Sequence, residues 1–236
     1  MFVWKKSVII GSGLMFIQAM TGINSVIFYS TTIFGFAGFK DSILATASVG
    51  AVNVLTSVLA TTLVETMGRR TLLLIGTSIM LVSLLVLSMI LWHGGGIGES
   101  SQGLVAVVAV LVYIFGFAIG LGSVCWAVMT EIMPTRLRTK AVSLFLSLNW
   151  GANLIVGLVT LTAIDFCGGV QHGMNEDEKS NAEKIGVAIV YFIFAAITFV
   201  GLVFIYTLVP ETKGMYDCMH VICILFHFYS FVFVSL

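Results

Sequence analysis

The sequence predicts an all-α membrane protein of six transmembrane helices arranged as three plus three, and three observations predict it. First, 59% of the 236 residues are hydrophobic and only 9% are charged, where ordinary soluble domains carry about 25% charge. A mean hydropathy of +1.10 points the same way. Second, the charges fall in a few clusters, and the gaps between them are apolar runs near or above the length of about 20 residues that crosses hydrocarbon. Third, runs such as Leu81-Val82-Ser83-Leu84-Leu85-Val86-Leu87 do not alternate, as the strands of a membrane barrel do. Helices satisfy their own backbone hydrogen bonds and are the default in lipid. Composition also excludes other classes. The 11 basic and 11 acidic residues cancel, leaving no basic excess for nucleic acid. The hydrophobicity is the opposite of what disorder requires.

The spans follow in order. The first runs over Lys6–Ala37, starting at the Lys5-Lys6 pair, and is interrupted by Gly11, Gly13 and Gly22. The second is Ser42–Val64, closed by Glu65, and the third is Thr71–Trp92, opened by Arg69-Arg70. The fourth, Leu104–Thr130, carries Gly116, Gly120 and Gly122 and ends before Glu131. The fifth is Ala141–Ile164, between Lys140 and Asp165, and the sixth is Ile185–Val209, between Lys184 and Pro210. Both prolines, Pro134 and Pro210, fall at span ends, where they remove no helical hydrogen bond. The run after Lys5-Lys6 is too long for the core of a signal peptide and reads as a span.

Lysine and arginine set the orientation. Lys5, Lys6, Arg69, Arg70, Arg136, Arg138, Lys140 and Lys213 share one side, and Lys40, Lys179 and Lys184 the other. The first side is expected to be cytoplasmic, with both termini there. The acidic segment Asn175–Glu183 then lies on the exterior or lumenal side as a soluble loop. Cys125, Cys167, Cys218 and Cys223 form no disulfide framework, and no metal or cofactor site is expected. His93 and His172 fall in outer loops, and no Gly-x-Gly-Asp, Gly-x-Ser-Gly or His-Glu-x-x-His sequence is present, so an intramembrane enzyme is not expected.

The six spans divide into two triplets, and the first span of each is long and interrupted by glycine at corresponding positions. Two readings stand. Glycines let helices pack closely, and in transporters a matched pair of interrupted helices marks the substrate site at the midplane.

Several motifs carry a resemblance. Span one holds Gln18-Ala19-Met20-Thr21-Gly22-Ile23-Asn24 with Phe28-Tyr29, and span two is followed by Glu65-Thr66-Met67-Gly68-Arg69-Arg70. Span four holds Cys125-Trp126 and runs into Glu131-Ile132-Met133-Pro134-Thr135-Arg136-Leu137-Arg138. Span five holds Asn149-Trp150-Gly151-Ala152-Asn153, and span six closes on Val209-Pro210-Glu211-Thr212-Lys213-Gly214. In this order and spacing, the chain from about Lys5 to Gly214 resembles the C-terminal half of a sugar porter of the major facilitator superfamily.

The resemblance implies transport of a hexose or related neutral sugar or polyol by alternating access, facilitated or proton-coupled, with a plasma-membrane address. It also implies a missing N-terminal six-helix half as partner, where the coupling acid of proton-coupled members lies. Gln18, Asn24, Asn53, Trp126 and Asn149 match the family's sugar contacts. Amides both donate and accept, and an indole stacks on an apolar ring face, which suits a neutral ligand rimmed with hydroxyls. Tyr29 and Trp150 match gate or packing positions. Asn153 is assigned to hydrogen bonding between helices. Glu65, Arg69, Arg70, Glu131, Arg136, Arg138 and Glu211 match charges that hold the cytoplasmic side closed and separate when it opens.

There are departures. Ala19 stands where the family has a second glutamine, Ala118 where many members have a polar group, and Gly122-Ser123-Val124-Cys125 where a proline-rich bend is common. These leave room for a substrate other than glucose. The alternative function is a truncated, non-transporting membrane fragment or interaction protein. The last segment, Met215–Leu236, has no Lys or Arg. It reads either as translated intron, beginning where the codons of Gly214-Met215-Tyr216 can hold a splice donor, or as an interfacial anchor.

Overall fold

The computed structural model describes residues 2–36, 42–92, 99–169 and 176–210. Glu211 and the 215–236 tail lie outside the described residues, as do the side chains of Tyr29, Glu65 and Arg136. Eight α-helices and one π-helical segment make up the described chain: α1 (Phe2–Met20), α2 (Ile23–Phe36), α3 (Ser42–Met67), α4 (Arg69–Trp92), α5 (Glu99–Phe117), the π segment Ala118–Gly122, α6 (Val124–Glu131), α7 (Thr135–Gly168) and α8 (Glu176–Leu208). There is no strand among the described residues. Five segments are long and apolar enough to cross a bilayer, and α3 contributes a shorter apolar stretch, Val49–Val64.

The first and fourth expected spans are each two helices. Span one breaks at Thr21-Gly22, where Gly22 takes a left-handed backbone with φ +79°. The helix restarts at once, with the Val26 N–H donating to Gly22 O at 2.9 Å. A side chain at Gly22 is excluded twice. The left-handed region penalises any L-residue with a Cβ, and an added Cβ would lie 2.6 Å from the Phe194 ring. Gly22→Ala is therefore expected to cost about 2–4 kcal/mol, read as a drop in the thermal unfolding midpoint. An unchanged midpoint would mean that the helix does not break at Gly22. Span four breaks differently, by widening into the π segment at Ala118–Gly122 before continuing as α6.

Other boundaries move outward. Gly68, at φ +86°, is the whole connection between α3 and α4. α7 starts directly after Pro134, whose carbonyl accepts from the Arg138 N–H at 3.0 Å. The acidic stretch expected as a soluble loop is helical, because α8 begins at Glu176.

α4 and α8 pack along one another, and α7 packs on α8. α1 lies on α7, while α5 and the π segment lie on α3 and α4. These neighbourhoods map onto each other when the triplet α1/α2, α3, α4 is exchanged with α5/α6, α7, α8. The α4 approach to the π segment is backbone on backbone: an added Cβ at Gly76 would meet Gly120 Cα at 2.5 Å.

The surface is that of a protein whose solvent is hydrocarbon. Leu55, Leu154, Leu158, Phe192 and Val200 are each more than half exposed. The interior holds polar side chains instead, among them Gln18, Thr77, Asn149 and Thr198. Many buried hydroxyls bond back to the carbonyl four residues earlier, as Thr77 does to Leu73 O at 2.6 Å and Thr198 to Phe194 O at 2.7 Å. That satisfies them without a partner helix.

Candidate functional site

The breaks in spans one and four face each other, and a chain of amides links them. Asn24 Nδ2 donates to Asn153 Oδ1 at 2.9 Å. Asn153 Nδ2 donates to Asn149 Oδ1 and to Asn149 O, both at 3.0 Å. Asn149 Nδ2 donates to Gln18 Oε1 at 3.1 Å and to Met15 O at 2.9 Å. Gln18 Nε2 donates to Leu121 O, inside the π segment, at 2.7 Å. The chain thus runs α2, α7, α1, π segment. Its direction is fixed at the far end, because a carbonyl only accepts, so Gln18 must present its NH2 there and its oxygen to Asn149. Four donors in the same sense polarise one another.

Gln18 and Asn149 are buried, while Asn24 and Asn153 are half-buried. The chain therefore has a buried end at the π segment and an accessible end at Asn24. No formal charge takes part. Three of the five expected sugar contacts, Gln18, Asn24 and Asn149, meet in it. Asn153 bridges α2 and α7, as helix packing requires, and in doing so joins them. Trp126 is half-buried against the core on α6. Asn53, on α3, is half-buried and outside this chain; its carbonyl accepts from Ser57 Oγ at 2.7 Å. Trp150 is exposed on α7.

Two contributors have no signature in the sequence pattern. One is Leu121, which acts through its carbonyl. The other is Tyr113 of α5, fully buried, whose hydroxyl donates to Thr21 O at 3.0 Å, at the break in span one. Each interrupted helix is thus capped by a side chain from the other. Ser123 Oγ, donating to Ala118 O at 3.0 Å, satisfies a second carbonyl of the π segment.

The basic end of the bundle is tied by arginines. Arg69, at the start of α4, grips one oxygen of Glu131 at the end of α6, through Nε at 3.2 Å and NH2 at 3.1 Å. Its NH1 reaches Val64 O at 3.4 Å. Glu131 is largely buried, and its Oε2 has no hydrogen-bond partner among the described residues. The next arginine, Arg70, donates to Tyr206 O of α8 at 2.7 Å and lies 5.7 Å from the Tyr206 ring. Arg138 donates to Met133 O at 3.5 Å. The Arg69–Glu131 pair crosses between helices of the two triplets rather than between neighbours in sequence.

Breaking that pair from its two sides is expected to be unequal. Arg69→Ala strands a buried carboxylate and costs about 3–5 kcal/mol. Glu131→Gln keeps an acceptor for Arg69 and costs about 1–3 kcal/mol. Thermal unfolding of both variants checks this, and equal effects would contradict it.

A bundle with a lipophilic surface, two interrupted helices and an uncharged amide chain between them defines an integral multi-pass membrane protein. The chain belongs to the sugar (and other) transporter family, whose model matches residues 2–217. It is 35% identical over 213 residues to the facilitated trehalose transporter Tret1 of Drosophila pseudoobscura pseudoobscura, covering 89% of this chain and 22% of that protein. It is 34% identical over 212 residues to plastidic glucose transporter 4 of Arabidopsis thaliana, covering 89% of this chain and 35% of that protein. Among solved structures, it resembles the major facilitator superfamily proton:xylose symporter XylE bound to 6-bromo-6-deoxy-D-glucose. There the TM-score is 0.71 at 28% identity, over 88% of this chain and 40% of the other. The inward open form of XylE from E. coli gives a TM-score of 0.68 at 27% identity, over 89% and 40%. The chain therefore spans between about a fifth and two fifths of the length of these relatives.

Proposed function

We propose that the chain forms the six-span C-terminal half of a carrier that moves a hexose or related neutral sugar or polyol by alternating access. The observation that supports this most is the uncharged, one-directional amide chain Asn24–Asn153–Asn149–Gln18. Its accessible end offers amide donors and acceptors to hydroxyls and nothing that would select an ion. In this reading Gln18, Asn24 and Asn149 hold the sugar, joined by Trp126 as a stacking face and by Asn53 from α3. Tyr29 and Trp150 serve as gate or packing residues. An N-terminal six-helix half supplies the opposite wall and, where transport is proton-coupled, the coupling acid.

The basic end faces the cytoplasm in this reading, with both termini inside and the plasma membrane as address. Glu65, Arg69, Arg70, Glu131, Arg136, Arg138 and Glu211 close that side when the carrier faces outward. A gate of this kind needs contacts that differ between the two states. The Arg69–Glu131 pair, at 3.1 Å, joins helices that must separate for opening.

Uptake of labelled glucose, xylose and trehalose into proteoliposomes tests the proposal, with the chain alone and co-reconstituted with an N-terminal half. Saturable uptake that Asn149→Ala abolishes is the expected result. Absence of uptake under both conditions would reject transport and favour an interaction protein.

A further inference from the structure

The reciprocal capping of the two helix breaks has a consequence beyond ligand contact. A π-turn and a broken helix each leave backbone carbonyls without helical donors. In a bilayer no water is at hand to satisfy them. Here three carbonyls at the two breaks accept from side chains: Leu121 O from Gln18, Ala118 O from Ser123, and Thr21 O from Tyr113. Two of these caps cross from one triplet to the other in opposite directions. Gln18 lies on α1 and holds the π segment; Tyr113 lies on α5 and holds the break beside Gly22. On the other side, the π segment is pressed against α4, with Gly120 facing Gly76 backbone to backbone. It is held by packing on α4 and α3, and from α1 by the Gln18 amide.

We propose that Gln18 and Tyr113 form a reciprocal latch that couples the bends of the two interrupted helices, and that substrate opens the Gln18 half of it. The second clause rests on the functional reading above. A sugar hydroxyl that engages the Gln18 amide competes with Leu121 O for its N–H, or turns the amide away from it. The carbonyl is then released, and the π segment loses its flanking support and reshapes. Tyr113 has no amide in the chain and keeps its hold on Thr21 O, so the two breaks respond in sequence. The latch also accounts for a local departure: no proline stiffens span four at Gly122-Ser123-Val124-Cys125, and side-chain caps set the bend instead.

Hydrogen–deuterium exchange of the full chain in lipid nanodiscs tests this, followed over residues 118–124 and 21–26. Without sugar, Gln18→Leu is expected to raise exchange over 118–124 by about tenfold, while Tyr113→Phe raises it over 21–26 by a similar factor. The effect must appear in the helix that the residue does not belong to. A residue with only a packing role would loosen its own helix first, and that pattern overturns the latch. Glucose, xylose and trehalose are then added, with binding followed separately by tryptophan fluorescence. A sugar that binds is expected to raise exchange over 118–124 in the unmodified chain and to add nothing in Gln18→Leu. Binding without that rise overturns the substrate-opened latch. Absence of binding by every sugar, also when an N-terminal half is co-reconstituted, rejects the functional reading, while the sugar-free comparison still decides the latch.

Discussion

Gly76→Ala, one methyl group, is expected to destabilise the bundle by about 3 kcal/mol. The added Cβ would sit 2.5 Å from Gly120 Cα, 2.6 Å from Gly116 O and 2.7 Å from Gly120 N. All three are backbone atoms, so no rotamer change relieves the overlap. Carbon atoms in contact sit about 3.5–4.0 Å apart, so α4 must retreat by about 1 Å or more from the π segment. Its contacts with α5, α8 and α6 move with it. In lipid, helix association depends on close packing rather than on hiding apolar surface from water, so little compensates for the retreat. At roughly 2–4 °C per kcal/mol for a chain of this size, the midpoint falls by about 6–12 °C. Gly157→Ala is the control. Nothing lies within 4 Å of its added Cβ, and alanine is the better helix former, so its midpoint is expected to hold or rise. A Gly76→Ala protein as stable as its Gly157→Ala counterpart would show that the α4–π approach is looser than described.

What could be read from residues alone follows from what carries a residue-level signal. Gln18 and Asn149 stand out because an amide in an apolar run needs a reason to be there. A hydrogen bond joins the two. Gly22 is legible as an interruption, but the left-handed backbone that makes it a break is not, since glycine takes either sign of φ with equal ease. The π segment is illegible in principle: its key group is a peptide carbonyl at Leu121, which any residue would offer. Tyr113 is hidden for a related reason, because its hydroxyl stands at the end of an aromatic side chain that fits the apolar run around it. Asn153, at i+4 from Asn149, is compatible with packing and with binding alike, and it does the first while joining the group that would do the second. The sixth span extends back to Glu176, while composition alone reads the same residues as an exposed loop. For the charged groups, the pattern shows which residues lie at the basic end but not their partners. Arg69 finds Glu131 at a sequence separation of 62, which no local spacing indicates.

The middle of the amide chain is where a single substitution reaches furthest. Leucine at Asn149 matches the side chain in size, so the change is chemical rather than steric. It removes the donor to Gln18 Oε1 and to Met15 O and the side-chain acceptor for Asn153 Nδ2. Asn153 keeps the Asn149 backbone carbonyl, so the loss falls mainly on α1. Hydrogen bonds between membrane helices contribute about 0.6 kcal/mol each on average and up to about 1.7, which sets a stability cost of roughly 1–3 kcal/mol. The functional cost is expected to be larger in proportion. Gln18 is then held only by Leu121 O and no longer presents a fixed oxygen, and sugar affinity is expected to fall roughly 10–100-fold. A double-mutant cycle with Gln18→Leu separates the two contributions. Because the two residues share a hydrogen bond, their combined effect on binding is expected to be less than the sum by about 0.5–3 kcal/mol. Additivity within about 0.3 kcal/mol would mean that the amides act one by one, and the idea of a connected chain leading from Asn24 to the π segment would have to be abandoned.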